Sequence, residues 1–212
     1  MTAPDAIQSA IRSGCRHLAI EPDDTVLDQW VAFIELLVKW NKSYNLTAVR
    51  DPAEMVPRHL LDSLALVAFM VPGRLLDVGT GAGLPGLPLA MLFPERSFTL
   101  LDSNAKKLRF IRQVVAELGL KNVEVVHQRM QEYRPAQAFD MVTSRAVANL
   151  EVLYRQAIHL LAPGGRMLFM KGTLPEGEMD GFTLGRDRLH IERLQVPGLD
   201  AQRHLLWFEL KS

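Results

Sequence analysis

The sequence has almost no cysteine and no excess charge of either sign. Cys15 is the only cysteine among 212 residues, which excludes an intrachain disulfide framework and a cysteine-rich metal site. We therefore expect a reducing compartment, no bound metal, and an inert Cys15 on an N-terminal helix. Basic and acidic residues number 24 each, so global charge does not indicate nucleic-acid binding, and any such signal has to be local.

Long hydrophobic runs are missing as well. The longest apolar stretch, residues 64–72, is far shorter than the roughly 20 residues that a membrane-spanning helix needs. Residues 1–20 carry several charged side chains and no apolar segment of signal-peptide length. We expect a soluble, cytoplasmic protein without membrane contact, and the single-domain size with a neutral surface favours a monomer.

The chain does contain two kinds of hydrophobic pattern. Up to residue 72 the pattern is helical, because apolar side chains recur every three or four residues behind a capping Asp23 or Asp24. A further helix is predicted over residues 52–70, with Pro57 kinking it or delaying its start. From residue 73 onward, short apolar strands alternate with helices, which predicts a parallel sheet covered on both faces.

The predicted architecture is an α/β core over residues 73–212 with an N-terminal helical extension over residues 1–72. A turn is predicted at 163–165, and residues 188–196 and 204–210 are predicted to form an antiparallel hairpin at the sheet edge. The helices of the core are predicted over residues 85–93, 104–118 and 150–161. The parallel strands are predicted over residues 74–78, 97–101, 123–127, 139–143 and 166–170.

An open sheet of this kind binds its ligand beyond the carboxyl ends of its strands, and a glycine loop follows the first strand there. Residues 77–86 read DVGTGAGLPG, in which Gly79, Gly81 and Gly83 allow a tight turn and the close approach of a ligand. The helix behind the loop is expected to direct free N–H groups at that ligand. The last three glycines also match the dinucleotide fingerprint G-x-G-x-x-G, so a nicotinamide or flavin enzyme is one interpretation.

Asp77 favours S-adenosylmethionine instead. This acid stands two residues before the first glycine, where it would repel a pyrophosphate but would suit the cationic amino group of S-adenosylmethionine. A glycine-rich turn without a ligand is the third interpretation. Asp102, at the end of the second strand, is placed to accept bonds from ribose hydroxyls, to cap the next helix, or both. Beyond the third strand, Met130 could cover an adenine ring and Gln131 could meet its polar edge, unless this segment is an ordinary turn.

Arg145 follows the strand at 139–143, in the stretch FDMVTSRA. An arginine cannot serve as a general base near neutral pH, because its pKa is above about 12. Its forked donors suit a carboxylate, a phosphate or guanine O6, which makes Arg145 a candidate positioning residue. The alternative is a structural ion pair with Glu151 or Asp140.

Basic side chains near the expected cleft are candidates for substrate binding. Lys171 ends the fifth strand, and Arg58 and His59 lie in the N-terminal region. Lys106 belongs to a basic cluster on the helix after Asp102, which could contact phosphates or form a solvated helix face. His59 could equally be a histidine that packs between helices.

Six stretches of the sequence together carry a more specific pattern than the glycine loop alone. They are DVGTGAGLPG (77–86), FDMVTSRA (139–146), LFMKG (168–172), HLLDSL (59–64), WNKSYNLTAV (40–49) and LQVPGLDAQRHL (194–205). In combination they resemble the RsmG family, also called GidB, over most of the chain from about residue 30. These are bacterial methyltransferases that modify N7 of a guanine in 16S ribosomal RNA.

The resemblance implies a class I, Rossmann-like methyltransferase fold with a mostly parallel seven-stranded sheet, and S-adenosyl-L-methionine as cofactor. The family's cofactor contacts fall on Gly79, Leu84, Met130, Gln131 and Arg145. Family members often have a small residue and a glutamate in place of the Met-Gln pair, so we expect the neighbouring glutamate or a backbone contact to replace them. The implied partner is 16S ribosomal RNA or the small-subunit particle, with the modified guanine near the decoding region.

This chemistry accounts for an arginine at the strand end. Guanine N7 carries a free lone pair and no proton, so attack on the sulfonium methyl needs alignment rather than a base. The alternatives that stay open are a small-molecule methyltransferase on the same fold, a nicotinamide-dependent oxidoreductase, and a ribosome-assembly factor that binds the cofactor without catalysis.

Overall fold

The computed structural model describes residues 3–145, 149–173 and 189–210. Its strands are β1 (Leu75–Val78), β2 (Phe98–Asp102), β3 (Val123–His127), β4 (Phe139–Arg145), β5 (Leu161–Lys171), β6 (His190–Arg193) and β7 (His204–Glu209). They form one sheet in the order β3-β2-β1-β4-β5-β7-β6. The first five are parallel, while β7 pairs antiparallel with both β5 and β6. The mostly parallel seven-stranded sheet with a C-terminal antiparallel hairpin is thereby confirmed.

Helices precede the sheet and connect its strands. They are α1 (Ala3–His17), α2 (Asp24–Tyr44), α3 (Pro52–Met55), α4 (Asp62–Leu64), α5 (Gly86–Leu92), α6 (Ala105–Glu117) and α7 (Leu150–Ala157). A π-helical stretch covers Val56–Leu61, and 3₁₀ turns cover Val67–Phe69 and Ile158–Leu160. None of the helices in the described ranges combines the length and apolar character that crossing a membrane requires.

The central strands separate two apolar layers. Leu75 and Phe98 belong to the core shared with α2, α5 and α6, whereas Leu76 and Leu101 pack with α7 on the opposite face. Both β1 and β2 are buried along their whole length. Burial on both faces explains why these strands read as continuous apolar runs rather than as alternating patterns.

Helix α2 joins the N-terminal extension to the core. Asp23 is its N-cap, since its side chain accepts a hydrogen bond from Val26 N. Most of the predicted apolar face is buried, and the indole N–H of Trp30 donates to Pro88 O in α5 at 3.1 Å. This bond gives a buried donor its partner and fixes α2 against the helical layer over the sheet. The division of the chain at residue 72 stays a prediction.

The single helix predicted over residues 52–70 is wrong. Instead, α3 leads into the π-helical stretch, which is followed by α4 and a 3₁₀ turn. Pro57 is the physical reason, because it has no N–H and so interrupts the α-helical hydrogen-bond ladder. Wider turns follow, and Asp62 N donates to the carbonyls of both His59 and Pro57. The π-helical stretch thus carries Arg58 and His59 and ends at the buried Asp62.

Some boundaries in the second half also differ from the predictions. Helix α7 ends four residues before 161, and a 3₁₀ turn completes the predicted helix. The turn predicted at 163–165 lies inside β5, whose register with β4 shifts between Phe139 and Met141, so the strand absorbs the glycines as an irregularity. Within the described residues β6 begins at His190, while the predicted start at residue 188 lies outside them.

Candidate active site

The predicted site residues gather at the carboxyl edge of the parallel sheet. Asp77 lies in β1, Asp102 ends β2, Arg145 ends β4 and Lys171 ends β5. Adjacent parallel strands bring these ends together, as in the pairing of Arg145 with Met170. This edge is where open α/β sheets bind ligands.

The glycine loop leaves β1 in a left-handed backbone conformation. The φ angles of Gly79, Gly81 and Gly83 are 65°, 61° and 81°, values that favour glycine over any residue with a Cβ. A Cβ added at Gly81 would meet no atom nearer than 3.9 Å, so no neighbouring atom crowds this glycine. The loop therefore leaves room for a ligand to approach its backbone closely.

Most of the loop's own N–H groups are already used inside the protein. Gly79 N donates to Leu101 O at 2.8 Å and Gly81 N donates to Asp102 Oδ2 at 2.9 Å. The N–H groups of Thr80, Gly83 and Leu84 also bond to carbonyl oxygens, namely those of Leu101 and Thr80. A pyrophosphate needs free donors of this kind, so the geometry argues against the dinucleotide interpretation.

The start of α5 offers no free donors either. Gly86 N donates to Asp77 Oδ2 at 2.9 Å and Leu87 N donates to Gly83 O at 2.7 Å. The expectation that this helix would direct free N–H groups at the ligand is therefore wrong for these two positions. The acid of β1 and the loop backbone satisfy them first, because buried N–H groups need acceptors.

Asp77 supplies the opposite kind of group, an unused acceptor. Its side chain is fully buried, and its Oδ2 accepts from Thr80 Oγ1 at 2.6 Å as well as from Gly86 N. Its Oδ1 is buried without a hydrogen-bond partner in the described part of the chain. Burial raises the pKa of Asp77 to about 6. A buried, unpaired carboxylate oxygen suits a cationic donor, so the residues fit the amino group of S-adenosylmethionine.

Asp102 shapes the same loop from β2. Its Oδ2 accepts from Gly81 N, and its Oδ1 accepts from Asn104 N at 2.8 Å. The N-cap of α6 is Asn104, whose side chain accepts from Lys106 N and Lys107 N, so the capping alternative for Asp102 is wrong. Each carboxylate oxygen keeps a second lone pair, and ribose binding by Asp102 stays a prediction.

The remaining predicted cofactor contacts differ in exposure. Leu84 packs its side chain in the core and its N–H donates to Thr80 O, which leaves its backbone carbonyl for a ligand. Met130, just beyond β3, is half-buried against the apolar cluster on the α7 face. Gln131 is exposed, and its carbonyl accepts from Arg134 Nη1 at 2.8 Å. Adenine binding by Met130 and Gln131 stays a prediction.

Arg145 binds an acid that sequence reasoning did not single out. Its Nη1 donates to Asp62 Oδ2 at 3.2 Å and to Arg58 O at 3.1 Å. The structural partners suggested for it, Glu151 and Asp140, are wrong. Glu151 pairs with Arg155 one helical turn away, and Asp140 accepts from Arg74 N at 2.7 Å.

A second arginine shares the same carboxylate. Arg203 Nε donates to Asp62 Oδ1 at 2.9 Å, so both oxygens of this buried acid are occupied by guanidinium groups. We refer to Asp62, Arg145 and Arg203 as the Asp62 cluster. Both Asp62 and Arg203 lie within stretches that resemble the family, HLLDSL and LQVPGLDAQRHL, which was the available signal. Their separation of 141 residues concealed the contact.

His59 and Arg58 flank this cluster in different ways. His59 is buried, its Nδ1 donates to Arg58 O at 2.9 Å, and its Nε2 accepts from Thr47 Oγ1 at 2.8 Å. Burial, and then the charge of Arg145, lowers the pKa of His59 to about 4. His59 is therefore neutral at pH 7 with both ring nitrogens engaged, whereas the Arg58 side chain is about half exposed beside Glu54. Substrate binding by either residue stays a prediction.

The two lysines predicted to bind substrate lie on the rim. Lys171 is partly exposed at the end of β5, and Lys106 is exposed in the first turn of α6. The next residue in α6 is Lys107. Its Nζ lies 4.0 Å from the position that a Cβ of Gly81 would occupy. Lys107 therefore reaches the glycine loop at Gly81.

A parallel sheet in this order, with an antiparallel hairpin at one edge and an acid before a glycine loop, defines a class I S-adenosylmethionine-dependent methyltransferase. Solved structures share the fold. One is a SAM-dependent methyltransferase from Aquifex aeolicus, with 18% identity, a TM-score of 0.58, and coverage of 76% of this chain and 94% of that chain. Another is the N-methyltransferase NodS from Bradyrhizobium japonicum WM9 with S-adenosyl-l-homocysteine, at 15% identity, a TM-score of 0.56, and coverage of 84% and 99%.

Relatives define the family more narrowly. The Ribosomal RNA small subunit methyltransferase G of Stutzerimonas stutzeri (strain A1501) is 52% identical over 199 residues, covering 91% of each chain. Its counterpart in Alkalilimnicola ehrlichii is 45% identical over 204 residues, covering 96% of this chain and 93% of the relative. The family model GidB, rRNA small subunit methyltransferase G, matches residues 26–206. The chain belongs to this family, which confirms the resemblance.

Proposed function

We propose that the protein transfers the methyl group of S-adenosylmethionine to N7 of a guanine in 16S ribosomal RNA, near the decoding region of the small subunit. Membership of the rRNA small subunit methyltransferase G family, matched over residues 26–206, is the observation that carries this proposal. The protein acts in the cytoplasm, as a monomer, on 16S ribosomal RNA or the small-subunit particle.

The cofactor occupies the space beside the glycine loop. S-adenosylmethionine supplies an electrophilic methyl group on a sulfonium. Asp77 holds the amino group through its unpartnered Oδ1, and the backbone at Gly79 and Gly81 allows the close approach. Asp102 accepts from the ribose hydroxyls, while Met130 and Gln131 border the adenine ring.

The reaction relies on alignment rather than on proton removal. Guanine N7 has a free lone pair, so the protein has to bring N7, the methyl carbon and the sulfur into line and keep competing water away. Arg145 supports this as a positioning residue that carries a fixed positive charge at the end of β4. A bond from Arg145 to N7 itself would occupy the reacting lone pair, so its donors belong on a carboxylate, a phosphate or guanine O6.

The RNA side of the cleft is formed by the basic rim. Lys171, Arg58 and Lys106 contact phosphates, whose contribution to affinity falls with added salt. His59 supports this rim from inside, since its ring bonds to the carbonyl of Arg58. An unpaired loop guanine is the form of base that such a cleft accepts, because RNA sequence is read mainly in single-stranded regions.

The test compares three acceptors. Purified protein is incubated with S-adenosylmethionine and with small-subunit particles, naked 16S ribosomal RNA or GTP, and nucleoside digests are analysed by mass spectrometry. We expect 7-methylguanosine in at least one RNA substrate and none in GTP. Methylation of GTP alone would favour a small-molecule methyltransferase. Cofactor binding without methyl transfer to any RNA would contradict the proposal and indicate an assembly factor.

A further inference from the structure

The Asp62 cluster joins three distant parts of the chain. Asp62 begins α4 in the N-terminal region, Arg145 ends β4, and Arg203 precedes β7 in the C-terminal hairpin. The two arginines lie 83 and 141 residues from Asp62 in sequence. Only 3% of the Asp62 side chain is exposed, against 22% for each arginine side chain. The acid is thus internal, and the guanidinium groups are the parts that reach solvent.

The charges of the cluster do not balance. One carboxylate faces two guanidinium groups, which leaves one net positive charge. Within the described residues, Arg145 donates only through Nη1, and Arg203 donates through Nε and Nη1. Several N–H groups of each guanidinium have no acceptor in this part of the chain, since arginine has five. Asp62 accepts one hydrogen bond from each arginine, one on each carboxylate oxygen, so the remaining N–H groups are not bonded to this acid.

The cluster faces the region where ligands are expected. Arg203 Nη1 lies 3.7 Å from the position that a Cβ of Gly172 would occupy, just beyond the end of β5. Arg145 is close enough to the glycine loop for its charge to lower the pKa of Asp77 against the larger effect of burial. The cluster therefore lies between the loop and the end of β5, at the carboxyl edge of the sheet.

We propose that Asp62 is a positioning residue that holds Arg145 and Arg203 as a paired-guanidinium site for one oxyanion. The oxyanion is either the carboxylate of the bound cofactor or a phosphate of the RNA, which share the planar or forked acceptor geometry that guanidinium groups match. Binding it would bring the cluster to two positive and two negative charges. This inference rests on the proposed function.

Asp62 is suited to this task because of where it is anchored. It lies directly after the π-helical stretch, and its N–H is bonded to the carbonyls of His59 and Pro57, so its backbone is fixed. An arginine side chain loses much rotamer freedom when it is held in one geometry. Because the shared internal carboxylate already orders both arginine side chains in the free protein, less rotamer entropy is lost when the ligand binds. The site is in this sense preorganised.

The test uses Asp62→Asn, which keeps the shape of the side chain and removes its charge. Binding of S-adenosylhomocysteine is measured by calorimetry, and binding of a 16S ribosomal RNA fragment is measured by filter retention over a series of KCl concentrations. We expect about tenfold or greater weakening for one ligand. Loss confined to S-adenosylhomocysteine identifies the carboxylate, and loss confined to RNA, with a shallower salt dependence, identifies a phosphate.

Arg203→Lys provides a second variant in case Asp62→Asn does not fold. It keeps the charge but loses the forked donors, so we expect the same ligand to bind about tenfold more weakly at an unchanged melting temperature. Arg155→Lys is the matched control, because Arg155 pairs with Glu151 on the exposed face of α7. Asp62→Glu should recover part of the affinity, which a merely structural role would not predict.

Wild-type affinity for both ligands in folded Asp62→Asn or Arg203→Lys protein would overturn the inference. The proposed function fails differently. If wild-type protein binds S-adenosylhomocysteine but methylates no RNA, the RNA assignment is lost while the cofactor measurement still decides whether the oxyanion site exists.

Discussion

Asp77 and Asp62 are both buried carboxylates near the same edge of the sheet, but their surroundings are opposite. Asp77 has hydroxyl and backbone donors on one oxygen and no partner on the other within the described residues. Asp62 has a guanidinium group on each oxygen. Asp77 is therefore short of positive charge, and the Asp62 cluster has a positive charge in excess.

This difference indicates which part of a ligand Asp77 and the Asp62 cluster can each bind. The methionine end of S-adenosylmethionine carries an ammonium group and a carboxylate. The ammonium group matches the unpartnered oxygen of Asp77, and an oxyanion matches the unused donors of the Asp62 cluster. A buried charge without its counter-charge is costly in a folded protein, so both regions gain when a ligand supplies what is missing.

The largest expected effect comes from removing the carboxylate of Asp77. We predict that Asp77→Ala weakens S-adenosylhomocysteine binding about 100-fold or more, because a buried charged contact is lost. It also leaves Gly86 N and Thr80 Oγ1 without their acceptor, which costs about 1–3 kcal/mol of stability. Calorimetry and urea unfolding measure the two effects.

Asp140→Ala is the matched control for that variant. Asp140 also accepts a backbone N–H, that of Arg74, but on the strand end away from the glycine loop. We expect a similar loss of stability without loss of cofactor affinity. Equal affinity losses in both variants would mean that Asp77 acts through folding alone.

The second prediction concerns Arg145, which pairs with Asp62 and also lies near Asp77. Arg145→Ala should lower cofactor affinity, methyl transfer, or both, by about tenfold to 100-fold, because it removes one guanidinium from Asp62 and a positive charge near Asp77. Steady-state kinetics with separate KM values for cofactor and RNA measure the change. Arg155→Ala on α7 should leave both KM values unchanged. Unchanged kinetics in Arg145→Ala would leave this arginine as a structural residue only.

A glycine pair separates backbone strain from ligand contact. Gly81 and Gly119 have φ angles of 61° and 64°, and a Cβ would clash at neither, since it would meet no atom nearer than 3.9 Å at Gly81 and none within 4 Å at Gly119. We predict that Gly81→Ala and Gly119→Ala each lower the free energy of unfolding by about 1–2 kcal/mol. Only Gly81→Ala should also weaken cofactor binding, as measured by calorimetry. Normal affinity in folded Gly81→Ala would show that the cofactor does not approach this part of the loop.

The smallest effect is a pH dependence of stability beside the Asp62 cluster. The pKa of His59 is lowered from 6.5 to about 4, so its contribution is present above pH 6.5 and is lost as the pH falls towards 4. We predict that His59→Gln is less stable than wild type at pH 7, and that this difference shrinks at pH 5. Urea midpoints at the two pH values measure it. An equal difference in stability between wild type and His59→Gln at the two pH values would contradict a neutral, buried His59.

The sequence predicted what depends on local pattern and on the geometry of parallel sheets. Burial on both faces made β1 and β2 recognisable as apolar runs, and the carboxyl ends of parallel strands meet at one edge. Asp77, Asp102 and Arg145 were located in this way. The glycines at alternate positions of the loop predicted its left-handed backbone, because glycine adopts that conformation without strain.

What could not be predicted depends on contacts between distant segments. Nothing in a local pattern places Asp62 against Arg145 and Arg203, which are 83 and 141 residues away. The π-helical stretch was missed because a proline predicts interruption of a helix but not the wider turns that follow. The N–H groups at the start of α5 were expected to be free, but Asp77 of β1 and the carbonyl of Gly83 accept from Gly86 N and Leu87 N.

The most direct test of the central claim is the number of protons released when S-adenosylhomocysteine binds. Calorimetry in buffers of different ionisation enthalpy measures it. The free protein holds Asp77 with a pKa of about 6, so binding of an ammonium group at pH 6 should release about half a proton. The release should approach zero near pH ~7.5 and be absent in Asp77→Asn. Binding at pH 6 without proton release in wild-type protein would contradict the account.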